Sequence, residues 1–235
     1  MAERPYVLLS CAMSIDGYLD DGSDERLLLS NEADLDRVDA VRAGCDAILV
    51  GAATIRNDDP RLVVRSPARR ARRAVRGQRP TPVKVTVTER AKLDAEARFF
   101  TVGDSPKLVY CASYTVEQAR DQLGHAATVV DGGQPVAMRL LCEDLHRRGI
   151  GRLMVEGGAT VLTQFLAAGL ADELQLVVAP FFVGSGSGRR LVDEAEFPWQ
   201  QHRPARLVES RALGDVVLLR YALSRRFRTA TQPRP

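Results

Sequence analysis

No apolar run in the 235-residue chain approaches the roughly 20 residues of a membrane-spanning helix. The longest, Leu174 to Val183, is short and broken by Pro180. The apolar run from Tyr6 to Met13 is followed by Asp16, Asp20 and Asp21, without a signal-peptide layout, so a cytoplasmic protein is expected. Cysteine is sparse. Cys11, Cys45, Cys111 and Cys142 are far apart, form no C-x-x-C pair and sit in apolar contexts, which reads as free thiols rather than disulfides or metal ligands. The three histidines, His125, His146 and His202, show no H-x-x-x-H spacing and no neighbouring Cys, so no metal is expected. The zinc-deaminase signature is missing, as are the G-x-x-x-x-G-K-[ST] loop and G-x-G-x-x-G. No Ser–His–Asp or Cys–His set is visible. Any chemistry is therefore expected to come from a bound cofactor.

What is present is ordinary globular composition, 45% hydrophobic and 27% charged, which excludes a disordered or collagen-like chain. The formal net charge is +3, but it is unevenly spread. Seven arginines lie between Arg65 and Arg79, and Arg225, Arg226, Arg228 and Arg234 lie near the C-terminus. Setting those eleven aside leaves 22 basic and 30 acidic residues, a remainder near −8. Such a body disfavours wrapping on a polyanion, so neither nucleic acid nor membrane is expected as a partner.

Short runs rich in Val, Ile and Leu alternate with helical patterns. Strands are expected at Tyr6–Cys11, Ala47–Gly51, Val83–Val87, Lys107–Cys111, Ala127–Asp131, Arg152–Glu156, Glu173–Val183 and Val216–Leu223. One helix follows Ser30-Asn31, with Leu35, Val38 and Val41 as its stripe and Gly44 as its stop. A second runs from about Pro135 to Arg148, and a third from about Gly158 to Ala168. This alternation predicts an α/β fold with helices on both faces of the sheet. Residues 1–224 read as one domain, 65–80 as a solvated Arg-rich loop and 225–235 as a flexible tail.

Four constellations stand at strand ends. Ser14-Ile15-Asp16-Gly17 is either an ordinary Asp-Gly turn or a ligand-binding loop. Around Gly51, Thr54, Asp58, Arg61 and Arg65, an Asp-Pro turn with solvated arginines competes with a site for a phosphorylated polyol. There, carboxylate would accept sugar hydroxyls and arginine would hold phosphate. Glu156-Gly157-Gly158 opens a helix, as a tight turn or as a phosphate cradle. Gly184 to Gly188 is a connection or a lid.

Taken in order, the motifs resemble one family. They are Pro5-Tyr-Val, Ser14-Ile-Asp-Gly, Val41-Arg-Ala, Val50-Gly-Ala-Ala-Thr, Asp58-Asp-Pro-Arg-Leu, Val155-Glu-Gly-Gly, Gly169-Leu-Ala-Asp-Glu-Leu and Ala179-Pro. The chain is similar, over about residues 4–223, to the pyrimidine reductases of riboflavin biosynthesis. That family comprises the reductase domain of the bifunctional deaminase–reductase and its stand-alone relatives, with a dihydrofolate-reductase-like fold. The resemblance implies NADPH-dependent hydride transfer to sugar carbon 1 of a phosphoribosylamino-pyrimidine, by a homodimer. It places Gly51, Thr54, Gly157 and Gly158 on the cofactor, and Ser30, Arg42, Asp58, Leu62 and Arg65 on the substrate. Arg42 and Arg65 would clasp the 5′-phosphate, Asp58 would hold the opened sugar, and Glu156 would sit beside it. Asp58 and Glu156 are thus the catalytic candidates. Two positions depart from the family pattern: Ser10 stands where many members have Lys, and Thr88-Glu89 where many have Asp-Ser. The alternatives are a same-fold reductase of a pterin, folate-like or natural-product pyrimidine, and an Arg-rich polyanion binder.

Overall fold

A computed structural model of the chain describes residues 3–227 apart from Asp24, Arg26 and Ser185. Its strands are β1 (Tyr6–Met13), β2 (Ala47–Gly51), β3 (Val83–Thr88), β4 (Lys107–Cys111), β5 (Thr128–Asp131), β6 (Arg152–Val155), β7 (Glu173–Val178), β8 (Arg206–Leu213) and β9 (Val216–Ala222). They form one nine-stranded sheet in the order β5-β4-β3-β2-β6-β1-β7-β9-β8. Pairing is parallel from β5 through β7 and antiparallel at β7–β9 and β8–β9. The helices are α1 (Glu32–Ala43), α2 (Ala52–Asp58), α3 (Pro67–Val75), α4 (Arg98–Thr101), α5 (Val116–Leu123), α6 (Met138–Arg147) and α7 (Ala159–Ala167).

The central parallel strands are apolar on both sides because both sides are covered. On one face Leu9, Leu49, Val85 and Val155 pack against Leu141 and Leu145 of α6 and Leu162 and Phe165 of α7. On the other, Ile48 and Val50 meet Ile55, Phe99, Phe100 and Leu123 from α2, α4 and α5. There too, Leu8 and Met154 meet Val38 and Val41 of α1. Each such side chain, fully buried, contributes about 1.5–3 kcal/mol. The expected α/β architecture with helices on both faces of the sheet is what the structure shows.

Helix α1 begins as expected, with Asn31 rather than Ser30 as its cap. The Asn31 side chain accepts from Asp34 N at 2.9 Å. Its amide also donates to Leu213 O at 2.6 Å, tying the helix start to the turn between β8 and β9. The fully buried residues of α1 are Asp34 and Asp39, whereas Leu35, Val38 and Val41 are only half-buried.

The solvated loop expected at residues 65–80 is corrected by α3. Ser66 caps it, accepting from Arg69 N, and Pro67 starts it. Its packing is done by guanidinium groups in place of apolar side chains. Arg69 donates to Asp36 at 2.6 Å and to the buried Asp39 at 2.9 Å, and Arg70 to Val64 O at 2.9 Å. Arg73, 3% exposed, donates to Ala43 O, Cys45 O and Arg79 O.

The tail expected from residue 225 begins anchored. Asp172 is fully buried and accepts from both Arg4 nitrogens at 2.7 and 2.9 Å, from Val7 N at 2.9 Å and from Ser224 Oγ at 2.6 Å. Arg226 joins it at 3.2 Å and donates to Pro5 O. Residues 228–235, with Arg228 and Arg234, lie outside the described residues. The four thiols are free, as expected. Burial pushes Cys11 and Cys142 up to about 12 and Cys45 up to about 11.

Lys84 on β3 is fully buried, and its Nζ donates to Phe99 O at 2.9 Å and Val102 O at 2.6 Å, satisfying carbonyls at the end of α4. Burial lowers its pKa from 10.5 to about 8. Between those values the unfolded chain binds the extra proton, so the Lys84 contribution makes folding stability rise as pH increases through that window. We predict that urea midpoints measured from pH 7.5 to pH 10.5 climb less steeply for Lys84→Met than for the parent chain. Parallel pH profiles would contradict this.

Candidate active site

The carboxyl ends of β2, β3 and β6 face the same way, and there the structure opens a cleft of about 870 Å³, the size range of ligand pockets. Gly51, Thr54, Asp58 and Gly158 all line it. Close approach explains the glycines. A Cβ on Gly51 would stand 2.9 Å from Val161 Cγ2 of α7, and one on Gly158 would stand 3.2 Å from Thr54 Oγ1. Gly158 also has φ +87°, which side chains other than hydrogen resist. Gly51 N donates to Gly157 O at 3.3 Å, which joins the two strand ends. The β6–α7 turn thus brings bare backbone and the start of α7 against α2. These residues fit a dinucleotide, whose pyrophosphate takes amide donors and a helix N-terminus.

Glu156 sits beside this cleft, its N donating to Leu49 O at 2.9 Å. Its carboxylate is gripped by Arg42: Nε to Oε1 at 2.6 Å and Nη2 to Oε2 at 2.5 Å. Arg42 Nη1 turns to Val63 O at 3.3 Å. Burial opposes the Arg42 charge, but Glu156 beside it prevails, and the guanidinium is held above its ordinary range. Arg42, which the resemblance places on the phosphate, is in this structure a bidentate partner of Glu156.

Arg65 is half-exposed and rests on α1. Its Nη2 donates to Leu35 O at 2.7 Å, and its Nε stands 4.0 Å from Asp39. Burial raises the Asp39 carboxyl, but hydrogen bonds from Arg65 N, Arg69 and Ser66 N outweigh it and leave it below the usual range. Leu62, which the resemblance places on the substrate, has a buried side chain. It is 2% exposed, packed with Ile48, Ile55 and Phe99, with φ +46°. Ser30, partly exposed, precedes the α1 cap. The structure therefore gathers Gly51, Thr54, Gly158 and Asp58 in one cleft, with Gly157 hydrogen-bonded to Gly51, and puts Arg42, Glu156 and Arg65 along the α1 side.

At the departure Ser10, which is buried opposite Gln175, Arg37 of α1 donates to Gln175. A cation thus reaches the neighbouring strand position from the helix. The loop after β1 is pinned to the one after β7. Asp16 accepts from Ser14 Oγ at 2.6 Å, Val183 N at 3.0 Å and Gly184 N at 2.8 Å. The Ser14 hydrogen bond first, then the amides, hold its carboxyl down to about 2. Arg56, Arg90, Lys92 and Arg189 also line the cleft. They come from separate segments with no common spacing, so the sequence offered no signal for them. Among the described residues no His/Cys/Asp/Glu group forms a metal cluster.

A profile described as the RibD C-terminal domain matches residues 5–219. The Archaeoglobus fulgidus 2,5-diamino-6-ribosylamino-4(3H)-pyrimidinone 5′-phosphate reductase is 37% identical over 196 residues, covering 83% of this chain and 89% of that protein. Its namesake from Methanothermobacter thermautotrophicus is 38% identical over 193 residues, covering 81% and 84%. Among solved structures, a pyrimidine reductase-like protein of Corynebacterium diphtheriae has TM-score 0.77 at 22% identity, covering 93% of this chain and 91% of that one, and shows the shared fold. Acinetobacter baumannii RibD has TM-score 0.74 at 25% identity, covering 93% of this chain and 58% of that one. With its dihydrofolate-reductase-like sheet and these relatives, the chain belongs to the RibD C-terminal domain family of riboflavin-biosynthesis pyrimidine reductases.

Proposed function

We propose that the protein reduces 2,5-diamino-6-ribosylamino-4(3H)-pyrimidinone 5′-phosphate, or its close 2-oxo counterpart, to the ribitylamino compound with NADPH. The observation that carries this reading is the cleft in which Gly51, Thr54 and Gly158 meet at the ends of β2 and β6, with Glu156 beside it. NADPH, when bound, supplies hydride to sugar carbon 1. The chain's own residues bind and orient. Gly51, Thr54, Gly157 and Gly158 hold the cofactor. Asp58, at the end of α2 on the cleft wall, accepts from the hydroxyls of the opened sugar. Glu156 accepts from the substrate in an orientation set by the Arg42 fork. Arg65 takes the 5′-phosphate. The reading includes a cytoplasmic homodimer. No helix among the described residues is long and apolar enough to cross a membrane. Engagement of Arg69, Arg70 and Arg73 within the protein argues against a polyanion-binding role.

The test follows NADPH oxidation with the 2-amino and 2-oxo substrates in parallel. Turnover of either supports the assignment. Failure with both, in folded protein that binds NADPH, directs the search to pterin or other pyrimidine substrates. For the phosphate, we predict that Arg65→Ala raises KM for the phosphorylated substrate about tenfold or more and leaves the dephosphorylated form nearly unaffected. Equal effects on both would remove the phosphate role.

A further inference from the structure

The outer rim of the cleft, beyond β3, carries charge of both signs. Arg56, Arg90 and Lys92 lie on it with Glu89. Arg56 Nη1 donates to Lys92 O at 3.0 Å, which ties α2 to the segment after β3. In dinucleotide sites generally, a carboxylate just past a strand end binds the adenosine 2′-hydroxyl and repels a 2′-phosphate, whereas arginine accommodates that phosphate. Glu89 stands at such a strand end. One of its oxygens is engaged, however: Oε1 accepts from Val136 N at 3.0 Å, from the segment leading into α6.

That segment is itself fixed. Gly132 N donates to Cys111 O at 2.8 Å, Ser113 N to Gly133 O at 3.1 Å, and Ala137 N to Gly132 O at 2.9 Å. Val136 is buried in the core cluster with Met138 and Leu141. The amide that engages Glu89 is therefore held by packing independent of the cleft. Holding Glu89 on the Val136 amide leaves Arg90 and Lys92 to line the cleft from the same stretch of chain.

We infer that Arg90 and Lys92, braced by Arg56, are specificity-determining residues: with the Glu89 carboxylate withdrawn onto the Val136 amide, they take the 2′-phosphate of the adenosine half of the cofactor. This rests on the cofactor reading of the cleft and adds the discrimination between phosphorylated and unphosphorylated dinucleotides. The group recognised is a phosphate monoester dianion, which two cations bind through charge-assisted hydrogen bonds.

Calorimetric titration of the full chain with 2′,5′-ADP and with 5′-AMP, which differ only by the 2′-phosphate, tests it. The parent protein should bind 2′,5′-ADP about tenfold or more tighter than 5′-AMP. In the R90A/K92A double variant that gap should shrink to about threefold or less while the 5′-AMP affinity holds. In Glu89→Gln, which keeps an acceptor for Val136 N, both affinities should stay within about twofold of the parent. Equal binding of the two nucleotides by the parent overturns the 2′-phosphate assignment. So does an equal loss for both in the double variant. A gain in 2′,5′-ADP affinity on neutralising Glu89 would show that its charge reaches the phosphate, and overturns the withdrawn position. Binding of neither nucleotide, nor of NADH, would instead remove the cofactor reading of the cleft.

Discussion

Replacing Asp172 with alanine should lower the unfolding free energy by about 3–5 kcal/mol, the cost of stripping one partner from a buried charge cluster. The carboxylate is fully buried and answers Arg4, Arg226, Ser224 Oγ and Val7 N together. Its removal leaves two guanidinium groups facing each other without an anion, and a strand amide without an acceptor. Asp172→Asn keeps the shape and one acceptor oxygen but turns an amide toward an arginine, so it should recover part of the loss. Urea unfolding of the three proteins provides the comparison. A loss below about 1 kcal/mol in the alanine variant would mean that the cluster is ornamental, at the level of an ordinary surface pair.

The second large effect falls on the Arg42–Glu156 pair. Side-chain exposures of 17% and 10% place it mostly out of water. We predict that Arg42→Ala costs about 3 kcal/mol of stability, the low end for a buried pair, and lowers kcat/KM about 100-fold, because Glu156 loses its fixed orientation. Arg42→Lys should restore most of the stability but less of the activity, since an ammonium cannot form the two-point fork. The same separation of effects distinguishes a positioning role from simple scaffolding. If lysine restored activity and stability in equal proportion, the fork geometry would be irrelevant to the reaction.

The fold was readable where burial writes a simple pattern. β2, with the sequence AILVG, is buried throughout, and its bounds follow from composition alone. β8 escaped because it is an edge strand reading RLVESRAL, mostly exposed or half-exposed, so no periodicity survives in it. α3 escaped for another reason. Its contacts are Arg–Asp pairs and carbonyl contacts, which hydrophobic patterning cannot register, although Ser66-Pro67 carries a legible start signal. The site shows the same division. The glycines at 157 and 158 stand where positive φ favours them and Gly51 where Val161 leaves no room for a side chain, and a strand–Gly–helix pattern displays that locally. The pairing of Arg42 with Glu156 spans 114 positions and is visible only once α1 lies across β6. Leu62 matched a motif by position, but a motif does not say whether its side chain is buried, as it is here.

The strand order has a consequence for how the protein forms. β1, which precedes the other eight strands in sequence, lies between β6 and β7, with Tyr6 opposite Arg152 and Met13 opposite Val178. A ribosome that has made β1 through β5 has made no neighbour for it. Asn31 likewise waits for Leu213 before the start of α1 is fastened to the last hairpin. Closing such distant partners is slow compared with local helix formation. The apolar β1 segment should therefore remain sticky until β6 and β7 have been made, and chains truncated before residue 150 should be captured by hydrophobic-binding chaperones.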